Sequence, residues 1–164
     1  MTAGTDLTAL NTLQLQATAE HLVTVTSVDQ LQAEIAALEE GAVTHVLGGG
    51  SNVILCDHLP GTTLLMAIRG REVLSEDGTK VAIRVGAGES WHDFVVWCHH
   101  QGFHGLANLA LIPGSVGGAP IQNIGAYGVE VAERIEAVHV VHRHTGERAC
   151  LSRDDCEFRY RDSL

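Results

Sequence analysis

The chain has 164 residues, enough for one sizeable core or for two small lobes sharing an interface, and too few for several independent domains. Ten basic against twenty acidic side chains give a formal charge of −10, which repels phosphate backbones and anionic lipid heads and so excludes nucleic acid and membrane surfaces as partners. No apolar run approaches the roughly 20 residues that span a bilayer, and Met1 to Leu10 has neither a basic start nor an apolar stretch, so a soluble, cytoplasmic protein is expected.

In chain order, Leu22 to Thr26 reads as a short β-branched strand. Ser27, three residues before Gln30, then has the spacing of a capping box. Val28, Leu31, Ile35 and Leu38 recur at helical spacing, and Gly41 sits where a left-handed residue ends a helix. Val43 to Leu47 predicts a buried strand, which completes a β-α-β unit and delivers Gly48-Gly49-Gly50-Ser51-Asn52 at its C-terminal end, the usual place for a ligand. Thr62 to Ile68 and Lys80 to Val85 predict further strands, separated by the turn-forming Glu76-Asp77-Gly78. Ser90 and Asp93 open a second helix that presents Trp91, Phe94, Val95 and Cys98 on one face and ends at Gly102. A hairpin closes the chain, Ile135 to Val141 with Ala149 to Leu151, turning near Thr145-Gly146.

Two stretches carry most of the glycine. Gly48 to Asn52 lacks the third glycine of a dinucleotide fingerprint and the Gly-Lys-Ser/Thr of a P-loop. It is either an anion nest, whose N–H groups converge on a pyrophosphate beside Ser51 and Asn52, or a glycine-rich turn. Gly105 to Gly128 contains no charged side chain, unlike a surface loop. Its composition suits backbone lying against a large flat ligand, and equally an interior connection between lobes. Together the two describe a dinucleotide with a planar ring.

Other clusters are ordinary. Cys56, Cys98, Cys150 and Cys156 show no C-x-x-C pair and read as reduced thiols, mostly packed. His139, His142 and His144 lack companion ligands and fit a solvent-facing strand edge, so no metal site is expected. His99 and His100 suit a helix C-terminus.

Five blocks in order, Leu47 to Val53, Val85 to Trp91, Gly105 to Leu109, Ile112 to Gly128 and Tyr160 to Ser163, resemble the N-terminal part of the UDP-N-acetylenolpyruvoylglucosamine reductases, over nearly the whole chain from about Asn11. The resemblance implies a two-lobed α+β FAD fold of the vanillyl-alcohol oxidase and p-cresol methylhydroxylase type, residues 1–68 forming one lobe and 69–164 a truncated second, with a substrate-binding C-terminal domain absent. It assigns Gly48, Gly49, Gly50, Ser51 and Asn52 to the FAD pyrophosphate, and Ile112, Pro113, Gly114, Ser115, Gly117, Gly118, Ile121, Gly125 and Ala126 to the pyrophosphate and isoalloxazine. NADPH is the implied hydride donor and UDP-N-acetylglucosamine enolpyruvate the substrate.

Arg161 matches the family arginine that holds the substrate carboxylate and stabilises enolate-like charge. Without the match it reads as a surface arginine paired with Asp154, Asp155 or Asp162. Tyr127 lines the flavin or substrate side, or packs. The family's proton-donating serine and its assisting glutamate have no counterpart here, and the missing portion leaves room for self-association. Two other classes stay open on the sequence, a different flavin oxidase or dehydrogenase and a non-catalytic FAD-binding module.

Overall fold

The computed structural model describes residues 4–164; Met1 to Ala3, which bear on part of the reading of the chain's start, lie outside the described residues. β1 (Thr5–Asp6) pairs antiparallel with β2 (Thr18–Val25), and the loop between them buries Leu7 beside Ala17 and Ala19. Asn11 fixes that loop from inside, its amide donating to the carbonyls of Leu7 (3.1 Å) and Leu15 (3.0 Å) and accepting from the Leu15 N–H at 2.9 Å.

Helix α1 (Val28–Ala37) starts as its sequence requires, with the Ser27 hydroxyl accepting from the Gln30 N–H at 3.1 Å. Gln30 completes only half of the expected box, because its side-chain oxygen turns to the Thr26 N–H at 2.9 Å. The expected stop at Gly41 is corrected. The chain leaves the helix when Leu38 takes extended backbone, and Gly41, at φ 80°, serves the turn that the Ala42 N–H closes on the Glu39 carbonyl at 3.0 Å.

β3 (Thr44–Leu47) and β2 flank β4 (His58–Met66), both parallel to it, giving the strand order β1-β2-β4-β3. β4 starts four residues before the expected Thr62, since Leu59-Pro60-Gly61 reads as a turn yet is carried through the sheet. The pairing slips at Ala19/His21, Glu20 accepts from the Gly61 N–H at 2.6 Å, and Gly61 lies where a Cβ would come 2.3 Å from the Val43 carbonyl oxygen.

Beyond the sheet, β5 (Arg71–Glu76) and β6 (Val81–Val85) form a hairpin. β5 is an unforeseen strand: its last five residues are exposed, so no apolar alternation marks it. Asp77 caps the turn by accepting from the N–H groups of Lys80 (2.7 Å) and Thr79 (3.0 Å), bonds that hold its carboxyl below the usual aspartate range.

Helix α2 (Trp91–His100) buries Trp91, Phe94, Val95 and Cys98, the face expected from spacing, against Leu109, Ala119 and Val131. It ends in a Schellman motif, the Gly102 N–H reaching the His99 carbonyl at 3.0 Å and the Phe103 N–H the Cys98 carbonyl at 2.8 Å. The short strands β7 (Gly125–Ala126) and β8 (Val129–Glu130) follow, then the hairpin of β9 (Ala137–Val141) and β10 (Arg148–Ser152). That hairpin's turn docks on α1, where Gln32 donates to the Gly146 carbonyl at 2.6 Å and accepts from Arg148 at 2.8 Å, while Arg148 also pairs with Asp29. His142 and His144 lie in the turn itself rather than on a strand face.

Candidate functional site

β3 delivers the chain into Gly48-Gly49-Gly50 with no room for side chains. Gly50 has φ 62°, and a Cβ there would come 1.9 Å from the Leu10 carbonyl oxygen, so only glycine lets this loop lie on the Leu7–Leu15 loop. The Thr12 N–H closes the contact by donating to the Gly50 carbonyl at 3.0 Å. Beside it lies a depression of about 300 Å³ lined by Ala9, Asn11, Thr12, Gln14 and Gly49.

The second glycine-dense stretch is held from below by the residues entering α2. Trp91 donates its N–H to the Gly114 carbonyl at 3.0 Å, Val116 donates to Glu89 at 2.9 Å, and Gly117 donates to Ala87 at 2.9 Å. Ser90 and Ser115 bridge as in a strand pair. Glu89 is itself buried. Burial pushes its carboxyl up, but the Gly70 N–H at 3.0 Å and the Arg71 guanidinium at 2.5–2.9 Å outweigh it, leaving the group ionised below the usual glutamate range.

The two stretches touch. A Cβ on Gly49 would sit 3.1 Å from the Gly114 Cα and 3.5 Å from the Ser115 nitrogen; one on Gly48 would sit 2.7 Å from the Ser115 hydroxyl, and one on Gly114 2.8 Å from the Ser51 hydroxyl. Among the described residues, the N–H groups of Gly49, Gly50, Ser51, Asn52, Gly114 and Ser115 donate to no protein atom. Unpaired main-chain donors next to two serine hydroxyls, with no carboxylate bonded to them, suit a phosphate group, and side chains at the glycines would fill the space it needs. The donor set therefore fits the pyrophosphate of a dinucleotide such as FAD.

The remaining predicted residues lie elsewhere along the second stretch. Ile112 packs against the α2 core, whereas Pro113 and Ile121 are exposed. Gly118 stays near the Ser115 hydroxyl, and Gly125 and Ala126 form β7. Arg161 meets this stretch at its other end, donating from Nη2 to the Gly125 carbonyl at 2.7 Å and from Nη1 to the Asn123 carbonyl at 3.3 Å. The pairing with Asp154, Asp155 or Asp162 is not formed; the guanidinium lies 5.3 Å from the Tyr160 ring centroid and keeps its charge available. Tyr127 is 88% exposed.

Leu111, Asn123, Tyr127 and Arg161 all have positive φ, between 42° and 63°. Gln14 and Glu157 share this left-handed backbone, which costs a non-glycine residue roughly 1–2 kcal/mol. Sequence reasoning passed over Asn123, Glu130 and Glu89, although an amide amid small apolar residues was a readable signal.

The FAD binding domain family model matches residues 19–151. UDP-N-acetylenolpyruvoylglucosamine reductase of Alcanivorax borkumensis is 46% identical over 158 residues, covering 96% of this chain and 46% of its own length. That of Polynucleobacter asymbioticus is 45% identical over 164 residues, covering 99% and 48%. Among solved structures, the UDP-N-acetylenolpyruvylglucosamine reductase of Thermus caldophilus superposes with a TM-score of 0.75 at 32% identity, covering 96% of this chain and 54% of that one. The chain thus spans about half the length of the curated relatives it matches. With the glycine loops, their unpaired donors and the domain match in agreement, the chain belongs to the FAD binding domain family, and over nearly its whole length it is similar to UDP-N-acetylenolpyruvoylglucosamine reductases.

Proposed function

We propose that this chain holds FAD for an NADPH-dependent reduction of UDP-N-acetylglucosamine enolpyruvate to UDP-N-acetylmuramate, a step in making peptidoglycan precursors in the cytoplasm. The observation that carries the reading is the contact between Gly49 and Gly114, which gathers six unpaired N–H donors from two segments 65 positions apart in an acidic chain. In this reading the pyrophosphate rests on Gly48 to Asn52 and on Gly114 and Ser115, and the flavin ring runs along Gly117, Gly118, Ile121, Gly125 and Ala126. The lobes divide near Ile68, as in the vanillyl-alcohol oxidase type of fold. Exposed apolar side chains, Ile54, Leu111 and Ile121 among them, allow self-association.

When bound, FAD supplies hydride transfer between the nicotinamide and the enolpyruvyl double bond. The chain's own part is to bind, orient and neutralise. Main-chain donors hold the phosphates at fixed positions without cationic side chains. Arg161 offers a planar fork to the substrate carboxylate and steadies the negative charge that develops on it, and Tyr127, exposed beside that end of the stretch, borders the substrate.

An absorbance spectrum of the purified chain titrated with FAD, followed by anaerobic NADPH, tests the reading. Uptake of the flavin with its oxidised band, and bleaching of that band by NADPH, is the expected result. Well-folded protein that takes up no FAD would overturn it, and FAD bound but inert to NADPH would leave a flavin-holding module alone.

A further inference from the structure

We infer that Asn123 is a positioning residue for Arg161, an inference that rests on the substrate-facing role proposed above for that arginine. Asn123 is fully buried, and every polar atom it owns is used. Its amide nitrogen donates to Glu130 Oε2 at 2.8 Å and to the Arg159 carbonyl at 2.9 Å, and its amide oxygen accepts from the Ala132 N–H at 3.0 Å. Its main-chain N–H donates to the Pro120 carbonyl at 3.1 Å, and its own carbonyl accepts from Arg161 Nη1 at 3.3 Å.

Those bonds reach both supports of the arginine. Arg161 sits inside a tight turn in which Arg159 and Asp162 exchange main-chain bonds of 2.9 and 3.2 Å, so whatever holds the Arg159 carbonyl holds the turn. Asn123 does this, and the same residue presents the carbonyl that receives one arm of the fork. The other arm rests on Gly125, two residues on, at 2.7 Å. The guanidinium is therefore aimed by carbonyls, which orient it without cancelling its charge as a carboxylate partner would.

The residue type follows from the same contacts. Two donors and one acceptor on a short side chain describe an asparagine amide, and φ 42° is a conformation asparagine tolerates better than most. Aspartate would keep the size and the acceptor but set its carboxylate against that of Glu130.

The test is hindered rotation of the Arg161 guanidinium, read by nitrogen-15 NMR on the 164-residue chain, with its Nη signals assigned by their loss in Arg161→Ala. Wild type and Glu130→Gln, which keeps an acceptor for Asn123, should show separate, slowly exchanging Nη signals. In Asn123→Asp, and in Glu130→Ala should the first variant fail to fold, rotation should quicken about tenfold or more, as expected for losing a hydrogen bond to a charged group. Ile35→Ala, a destabilising change in the α1 core, should lower the melting temperature and leave the Arg161 signals alone. Unchanged rotation in folded Asn123→Asp or Glu130→Ala, or fast rotation already in wild type, would overturn the inference. Flavin absorbance of the same samples is a separate readout: colourless wild type with slow Arg161 rotation would sink the flavin reading while supporting the clamp.

Discussion

Gly49 and Gly114 pack back to back, so close that a Cβ on Gly49 would lie 3.1 Å from the Gly114 Cα. Two loops meet there through main chain alone. The neighbouring Gly50 differs in kind, because its positive φ and the Leu10 carbonyl at 1.9 Å from its virtual Cβ make it a folding requirement.

These two glycines should therefore separate ligand binding from folding. Gly49→Ala should push the loops apart by a few tenths of an ångström, weakening FAD binding with little change in melting temperature. Gly50→Ala should cost well over the roughly 1–2 kcal/mol of left-handed backbone alone and lower the melting temperature as well as flavin retention. Fluorescence titration with FAD beside thermal unfolding of both variants checks this; equal behaviour of the pair would contradict it.

Arg161→Lys should leave FAD bound but fail to bridge the carbonyls of Asn123 and Gly125, since an ammonium has no planar fork. On the function proposed above, binding of UDP-N-acetylglucosamine enolpyruvate by a protein of the relatives' full length should weaken by about 2 kcal/mol, roughly thirtyfold. Titration of the flavin band with that compound measures it, and undiminished affinity would remove Arg161 from the site.

Glu89 gives a pH signature. Its folded carboxyl lies below the ordinary 4.5, so its contribution to stability is complete above that value and is lost as pH falls through the lowered folded value. Glu89→Gln should cost about 1–3 kcal/mol at neutral pH, and the gap to wild type should close only in acid. Urea unfolding across that range decides; a gap independent of pH would mean that the Arg71 pairing contributes no stability.

The thiols should divide evenly. Cys98 is buried and its thiol is pushed up to about 11, Cys156 is buried and raised too, while Cys56 and Cys150 are exposed. Ellman titration of native protein should count two thiols quickly and all four after denaturation. Four fast thiols would show that the α2 core opens readily.

The expectation that the cysteines are mostly packed thus holds for only half of them, Cys98 and Cys156 being buried and Cys56 and Cys150 exposed. Local chemistry was readable where it acts over a turn or two: the Ser27 and Ser90 caps, the buried face of α2 and the Gly102 stop all follow from spacing. The unforeseen β5 and the early start of β4 were hidden for a common reason. Exposed strand residues carry no apolar alternation, and Gly61 is kept in the sheet by Glu20, 41 residues away.

By itself, the order of residues determined which segments could approach a ligand, since glycine density and the lack of charge over Gly105 to Gly128 are local properties of the chain. Only the tertiary structure decided that Gly49 meets Gly114, that Glu89 and Arg71 brace the second loop, and that Asn123 carries Arg161. Those are long-range pairings between groups whose partners no short window of sequence contains: Glu89 and Asn123 form theirs because buried polar atoms must find hydrogen bonds wherever the fold supplies them, whereas Gly49 and Gly114 meet because neither carries a side chain.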